Sequence, residues 1–138
     1  MKTNRDTIKI SVTVLISALT GITILLMHHF VAGLPEPAPG QYYYSKLAAG
    51  NFTWVSAALF LIAAVAIKHF NDGNPFAIGF GMVLIFPLIS VAEATVYRGS
   101  HNLIPFEFAM HMIWALPSLA GAFGYQLVRK VRSAKERK

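Results

Sequence analysis

The sequence predicts an all-α integral membrane protein with four transmembrane helices, and three observations lead to that fold class. Apolar residues make up 55% of the 138 residues, and charged residues make up only 13%, whereas soluble domains carry about 25% charged residues. Most of the charged residues lie in the first nine or the last ten positions. Between them the chain contains four long apolar stretches separated by short polar segments.

The four apolar stretches are the predicted spans. A helix needs about 20 mostly apolar residues to cross a hydrocarbon core roughly 30 Å thick. The approximate spans are residues 8–30, 50–69, 76–96 and 104–128. The first one follows basic residues, as a signal peptide does, but its uncharged run is longer than the roughly 7–15 residues of a signal peptide. We therefore expect it to remain as a helix, and residues 1–138 to form a single transmembrane domain.

The connecting segments are short and contain residues that end helices. Proline and glycine dominate residues 33–40, and residues 71–75 form a tight turn that ends in proline. Residues 98–102 form a third polar connection. Short connections place successive helices side by side, so the sequence predicts an up-down-up-down antiparallel bundle.

The distribution of lysine and arginine predicts the orientation of this bundle. Ten of the 12 basic residues lie in the N-terminal segment, the second connection or the C-terminal segment 129–138. Only Lys46 and Arg98 lie in the first and third connections. The positive-inside rule therefore predicts cytoplasmic termini, as in a protein of the bacterial inner membrane. The basic tail is expected to contact anionic lipid headgroups, and charges placed only at helix ends argue against nucleic-acid binding.

Polar and small residues recur at helical spacing along three of the predicted spans. Helices in lipid associate through such residues, so we expect these stripes to face the interior. The stripes are Thr13, Ser17, Thr20, Gly21 and His28 on the first span, Gly79, Val83, Phe86, Ser90, Glu93 and Tyr97 on the third, and Glu107, His111, Trp114, Ser118, Gly121 and Tyr125 on the fourth. Pro87 and Pro117 are expected to kink the third and fourth helices, because proline removes a hydrogen bond there.

Ionisable residues cluster in the outer half of the predicted bundle. A buried carboxylate costs several kcal/mol unless it is paired, protonated or hydrated, so such residues are functional candidates. Glu107 and His111 are four residues apart and can address one point. The candidate residues for binding a solute or an ion are His28, Glu93, Arg98, His101, Glu107 and His111.

Three chemistries suit these residue types. A divalent metal such as Zn or Fe could be held by His28, Glu93, Glu107 and His111. A proton-coupled carrier or channel could use Glu93 and His111 as its titrating groups. A b-type haem could be held by His28 and His111. Cysteine is absent, which excludes disulfides and thiolate catalysis, and no sequence motif identifies catalytic residues.

A purely structural role is the alternative for each of these residues. His and Glu near an interface are often hydrated, and a Glu in the first turn of a helix is favoured by the helix dipole. The leading hypothesis is a small protein that binds or transports a solute or an ion. As a carrier it would be a homo-oligomer. The two alternatives are a metal-dependent enzyme acting at the outer leaflet and a structural or assembly subunit of a larger membrane complex.

Overall fold

The computed structural model describes residues 2–40, 42–96 and 104–137, and all regular secondary structure within these ranges is helical. These ranges contain the helices α1 (Lys2–Ala32), α2 (Tyr43–Gly50), α3 (Trp54–Asn71), α4 (Pro75–Val83), α5 (Ile85–Val96), α6 (Ile104–Trp114) and α7 (Leu116–Lys135). The prediction of an all-α fold is thereby confirmed for the described residues.

Two of these helices, α1 and α3, are long and apolar enough to cross a membrane. A third crossing results if the bent pair α4 and α5 is counted as one span. These helices indicate a protein associated with a membrane. The fourth predicted crossing, 104–128, is divided between α6 and α7 and stays a prediction.

Both helix breaks lie next to the prolines that the sequence singled out. The α4 and α5 axes differ in direction by 42°, and the break at Leu84 precedes Pro87 by three residues. Pro87 has no N–H to donate to the carbonyl of Val83, and its ring crowds that carbonyl. Pro117 likewise lacks an N–H to donate within the helix, and the turn at Ala115 is the point where α6 ends and α7 begins. The predicted kink of the third helix is confirmed by the bend between α4 and α5, and the fourth helix is interrupted beside Pro117.

Helix α2 was not predicted and changes the first connection. The second span was expected to start near residue 50, but α3 begins at Trp54 after a capping box. In this box Ser56 N–H donates to the Thr53 hydroxyl, and Thr53 N–H donates to the Ser56 hydroxyl. The residues before it form a separate two-turn helix, which the aromatic and small residues of 42–50 did not reveal.

The polar and small stripes face the interior as expected. Helix α3 packs mainly against α7, and α1 packs mainly against α4, with further contacts between α4 and α7 and between α1 and α3. A Cβ added at Gly21 would collide with the backbone oxygen of Met82, and one at Gly121 would collide with that of Leu61. The buried members of the stripes are Thr13, Ser17, Gly21, His28, Gly79, Val83, Phe86, Ser90, Glu93, His111, Ser118 and Gly121. Thr20, Glu107, Trp114 and Tyr125 are only half-buried, and Tyr97 lies outside the described residues.

Candidate functional site

The structure places three of the expected site residues in the interior, each with different neighbours. His28, Glu93 and His111 are only 7–8% exposed, while Glu107 is half-buried. Arg98 and His101 lie outside the described residues. The candidate site is therefore built from α1, α2, α5 and α6.

The carboxylate of Glu93 caps the N-terminus of α2. Tyr44 N–H donates to Oε1 at 2.8 Å, and Ser45 N–H donates to Oε2 at 3.1 Å. The first N–H groups of a helix have no partner within it, and the positive end of the helix dipole favours an anion at this place. Tyr42, which precedes the helix, has a left-handed backbone and forms no side-chain cap of its own. Glu93 on α5 therefore supplies the cap that the local sequence does not.

His28 is joined to the start of α3 rather than to Glu93. Its Nε2 atom lies 3.2 Å from the Thr53 hydroxyl, which is also part of the α3 capping box. The neighbouring His29 has its Nδ1 atom 3.3 Å from the side-chain nitrogen of Asn51. That nitrogen also donates to the carbonyl of Leu47, so Asn51 presents a donor and His29 Nδ1 accepts. Both histidines thus contact the segment between α2 and α3.

A cavity of about 340 Å³ lies between α2, α5 and α6 and contains the two remaining candidates. Its volume falls within the range of roughly 300–1,000 Å³ that is typical of small-molecule sites. Ser45 and Lys46 contribute from α2, and Ser90 contributes from α5. The complete lining is Tyr42, Ser45, Lys46, Ala49, Ser90, Phe106, Glu107, Met110, His111 and Trp114. The cavity therefore combines aromatic walls with one cationic, one anionic and several hydrogen-bonding side chains.

The imidazole of His111 packs against two aromatic rings, those of Phe86 and Trp114. The imidazole stacks on Phe86 with ring centroids 5.6 Å apart, and it lies 5.2 Å from the ring of Trp114. Trp114 in turn stacks on Phe52 at 5.1 Å. The Nδ1 atom of His111 is buried and has no hydrogen-bond partner among the described residues. A buried polar atom without a partner is unusual in folded proteins and calls for a specific explanation.

A second cavity of about 320 Å³ lies on the other side of α2, between α1, α2 and α5. Leu25 and Leu26 line it from α1, and Ile85 and Ile89 line it from α5. It has mostly aliphatic walls, and its lining contains no carboxylate or lysine from the described part of the chain. Helix α2 thus separates a polar cavity from an apolar one.

The expected group of metal ligands is not assembled within the described ranges. Among residues 2–40, 42–96 and 104–137, no three His, Asp or Glu side chains lie close enough together to hold a metal ion. Glu93 faces the N-terminus of α2, and His28 faces Thr53. Of the four proposed ligands, Glu107 and His111 share a cavity.

Sequence reasoning missed what α2 contributes to the site. Ser45, Lys46 and Ala49 line the polar cavity, but they belong to a segment that was expected to be a loop. A signal was present in the spacing of these residues, which places positions 42, 45, 46 and 49 on one helical face. Ser90 and Trp114 belonged to the predicted interior stripes, and both contribute to the cavity.

The opposite end of the molecule contains a second polar group, centred on Asp72. Its Oδ1 atom accepts from Lys68 Nζ at 3.2 Å and from Arg129 Nη1 at 3.0 Å. The hydrogen bond from Lys68 is the main cause of a lowered Asp72 pKa, and the positive charges of Lys68, Arg129 and Lys9 lower this pKa further. Asp72 therefore links the end of α3 to α7.

Comparison with protein-family models, curated proteins and solved structures finds no match to this chain. The functional assignment consequently depends on the geometry of the described residues and on their chemistry.

Proposed function

We propose that the chain is an integral membrane protein that crosses the membrane four times and has both termini in the cytoplasm. We further propose that it binds a small polar solute or ion in the cavity between α2, α5 and α6. This cavity, called the polar cavity below, would open toward the outer leaflet. The bacterial inner membrane is the expected location.

The contacts at the two ends of the molecule support this topology. Helices α1 and α3 both extend from a set of contacts near Glu93 to a second set of contacts near Asp72. Residue pairs in contact near Glu93 are His28 with Thr53, His29 with Asn51, and Tyr44 with Glu93. Residue pairs in contact near Asp72 are Thr13 with Asn71, Lys68 with Asp72, and Asp72 with Arg129. Nearly all basic residues lie at or beyond the Asp72 end, which is the cytoplasmic end by the positive-inside rule.

The observation that carries the proposal is the position of His111. Its imidazole is 7% exposed, lines the polar cavity, and has a buried Nδ1 atom without a partner among the described residues. An imidazole can donate with one nitrogen and accept with the other. A ligand in the cavity could contact this ring. Both oxygens of Glu93 accept internal hydrogen bonds, and His28, whose Nδ1 atom is also buried without a partner among the described residues, does not line the cavity.

The charges of the cavity indicate the kind of solute. Lys46 and Glu107 have opposite charges and line the same space, so a small ion or a zwitterion would find a counter-charge there. The aromatic side chains of Phe106 and Trp114 would shield such a contact from water and so strengthen it. A transport role would require a path across the remaining half of the membrane, and for a chain of this size we expect a homo-oligomer to provide it.

The test uses the fluorescence of Trp114 as its signal. The other tryptophan, Trp54, is almost fully exposed and is removed in the variant Trp54→Phe. Acetate, ammonium and glycine serve as anionic, cationic and zwitterionic probes in protein reconstituted into nanodiscs. We expect at least one probe to change the Trp114 emission saturably. His111→Asn and Glu107→Gln should each weaken that binding tenfold or more, which corresponds to about 1.4 kcal/mol.

The matched control is Glu36→Gln, because Glu36 is an exposed carboxylate that bonds the Tyr43 hydroxyl. This variant should bind the probes like the parent protein. The proposal is wrong if His111→Asn and Glu107→Gln both bind the probes with unchanged affinity, or if none of the three probes changes the emission.

A structural or assembly subunit is the second candidate, and the positions of Glu93 and His28 favour it. Both side chains hold helix ends within the chain, as side chains with a purely structural role would. In that case His111→Asn and Glu107→Gln would be tolerated, and a defined set of membrane proteins would co-purify in stoichiometric amounts.

A further inference from the structure

A third cavity, of about 210 Å³, lies at the Asp72 end of the molecule between α3 and α7. Three of its side chains are cationic and one is anionic. The lining consists of Lys68, Asp72, Gln126, Arg129, Lys130 and Ser133. We call it the basic cavity. None of its lining residues also lines the polar cavity.

The single carboxylate does not neutralise this cavity. Asp72 accepts from Lys68 and from Arg129, while Lys68 also donates to the carbonyl of Gly73 at 2.7 Å. A guanidinium has five N–H donors in a fork that suits phosphate oxygens, and Arg129 uses Nη1 for Asp72. Lys130 adds a further positive charge on the same helix. The walls therefore retain an excess of positive charge and donors that can turn toward an anion.

A polar atom without a partner adds a second, independent requirement. The Oε1 atom of Gln126 is buried and has no hydrogen-bond partner among the described residues. A carbonyl oxygen can only accept, so a ligand that satisfies it must bring a hydroxyl or another donor. The best ligand thus combines an anionic group with a donor a few bonds away.

The surroundings of the cavity point to a lipid. Leu127 and Val128 follow Gln126 on α7 and are largely exposed, and the helix then continues with Arg129 and Lys130. A helix that changes from apolar to basic at this point places the basic residues at the level of the headgroups. Basic pockets between helices on the cytoplasmic side are suited to anionic headgroups.

We propose that the basic cavity binds the phosphate of an anionic phospholipid whose headgroup carries hydroxyls, such as phosphatidylglycerol. Arg129 and Lys130 contact the phosphate, and Gln126 accepts from a headgroup hydroxyl. The site depends on the membrane orientation proposed above but not on solute binding in the polar cavity.

The first experiment measures lipid binding by native mass spectrometry of the purified full-length chain titrated with phosphatidylglycerol. Lys130→Gln should weaken the apparent affinity about fivefold, given the roughly 1 kcal/mol that each basic residue contributes near an anionic surface. Lys135→Gln is the matched control, because it removes the same charge from an exposed position of α7 outside the cavity. Equal losses in the two variants would indicate diffuse attraction and would overturn the proposal.

The second experiment tests the role of Gln126. Phosphatidylmethanol has the charge of phosphatidylglycerol but no headgroup hydroxyl. The parent protein should prefer phosphatidylglycerol by about fivefold or more, as a net hydrogen bond of about 1 kcal/mol implies. Gln126→Leu should bind both lipids equally while it still binds them more tightly than phosphatidylcholine. A parent protein that does not distinguish the two anionic lipids would refute the hydroxyl contact.

A third measurement separates the lipid from free phosphate. Inorganic phosphate is titrated by calorimetry into protein held in phosphatidylcholine nanodiscs. We expect no saturable heat at millimolar concentrations, because inorganic phosphate, although its P–OH group can donate a hydrogen bond, brings no acyl chains that would hold it at the level of the headgroups. Saturable binding that Lys130→Gln abolishes would instead assign the cavity to a free phosphate and overturn the lipid assignment.

Discussion

The Oε1 atom of Glu93 accepts a hydrogen bond of 2.8 Å from the backbone N–H of Tyr44. These residues are 49 positions apart in the sequence, and the contact fixes the start of α2 against α5. Its partner bond from Ser45 N–H to Oε2 makes the cap bidentate. The buried carboxylate that first suggested a binding site thus has a structural role, because both of its oxygens accept from the first turn of α2.

Glu93→Gln should loosen α2 without unfolding the chain. A neutral amide retains one acceptor oxygen and loses the charge, whereas hydrogen bonds to a charged group contribute about 1.5–3 kcal/mol. The exchange rates of the Tyr44 and Ser45 amide protons should therefore rise about tenfold or more, as measured by hydrogen–deuterium exchange. Glu36→Gln is the control and should leave both rates unchanged. Unchanged rates in Glu93→Gln would contradict the capping role.

Gly21→Ala should destabilise the protein by about 1–3 kcal/mol, the usual cost of overpacking a well-packed contact. The added methyl group would collide with the backbone oxygen of Met82, and a backbone atom cannot rotate out of the way. Gly124→Ala is the matched control, because a Cβ there has no neighbour within 4 Å. That control should stabilise helix α7 by up to about 1 kcal/mol. Thermal unfolding in detergent measures both, and equal melting temperatures for the two variants would refute the close packing of α1 on α4.

Thr53→Val should cost about 1 kcal/mol of stability, because it removes the side-chain cap of α3. The same change removes the hydroxyl 3.2 Å from His28 Nε2 and leaves that histidine without this contact. Thr53→Ser keeps the hydroxyl and should be close to the parent protein. The comparison is made by chemical or thermal unfolding in the same detergent. A valine variant as stable as the serine variant would show that the cap contributes little.

Asp72 gives the stability of the protein a component that depends on pH. Its pKa is lowered in the folded chain, first by the hydrogen bond from Lys68. A lowered folded pKa means that the contribution is present above the unfolded pKa of about 4 and is lost as the pH falls through the folded pKa. The effect should be modest, since the carboxylate is more than half exposed and screened by solvent. Melting temperatures measured between about pH 3 and pH 7 should fall less toward acid in Asp72→Asn than in the parent protein. Parallel pH profiles would exclude this linkage.

Much of the fold follows from local sequence patterns. The all-helical class, two or three of the four apolar spans and the breaks beside Pro87 and Pro117 could be predicted, because each depends on residues close together in the chain. The interior stripes were also predictable, since burial in lipid selects small and polar side chains at helical spacing. Ser17, Gly121 and Glu93 are buried as their spacing indicated.

The candidate site was less predictable, because its partners depend on contacts between distant segments. The predicted burial of Glu93 indicated that its carboxylate needs a hydrogen-bond partner. The partner is the N-terminus of α2, whose free backbone N–H groups cannot be recognised from the side-chain pattern. Helix α2 is only two turns long, and short helices are marginal without tertiary contacts. Its tertiary contacts are mainly with α5, which positions Ser45 and Lys46 in the polar cavity.

The close contact of Gly21 with Met82 also determines where the helices can move. A joint without space for a methyl group acts as a pivot, so any tilt of α1 against α4 leaves this point at rest and displaces the parts farthest from it. His28 lies about 10 Å beyond the pivot along the α1 axis. A tilt about this point moves the part of α1 that holds Leu25 and Leu26 relative to α5, and so changes the width of the apolar cavity between them.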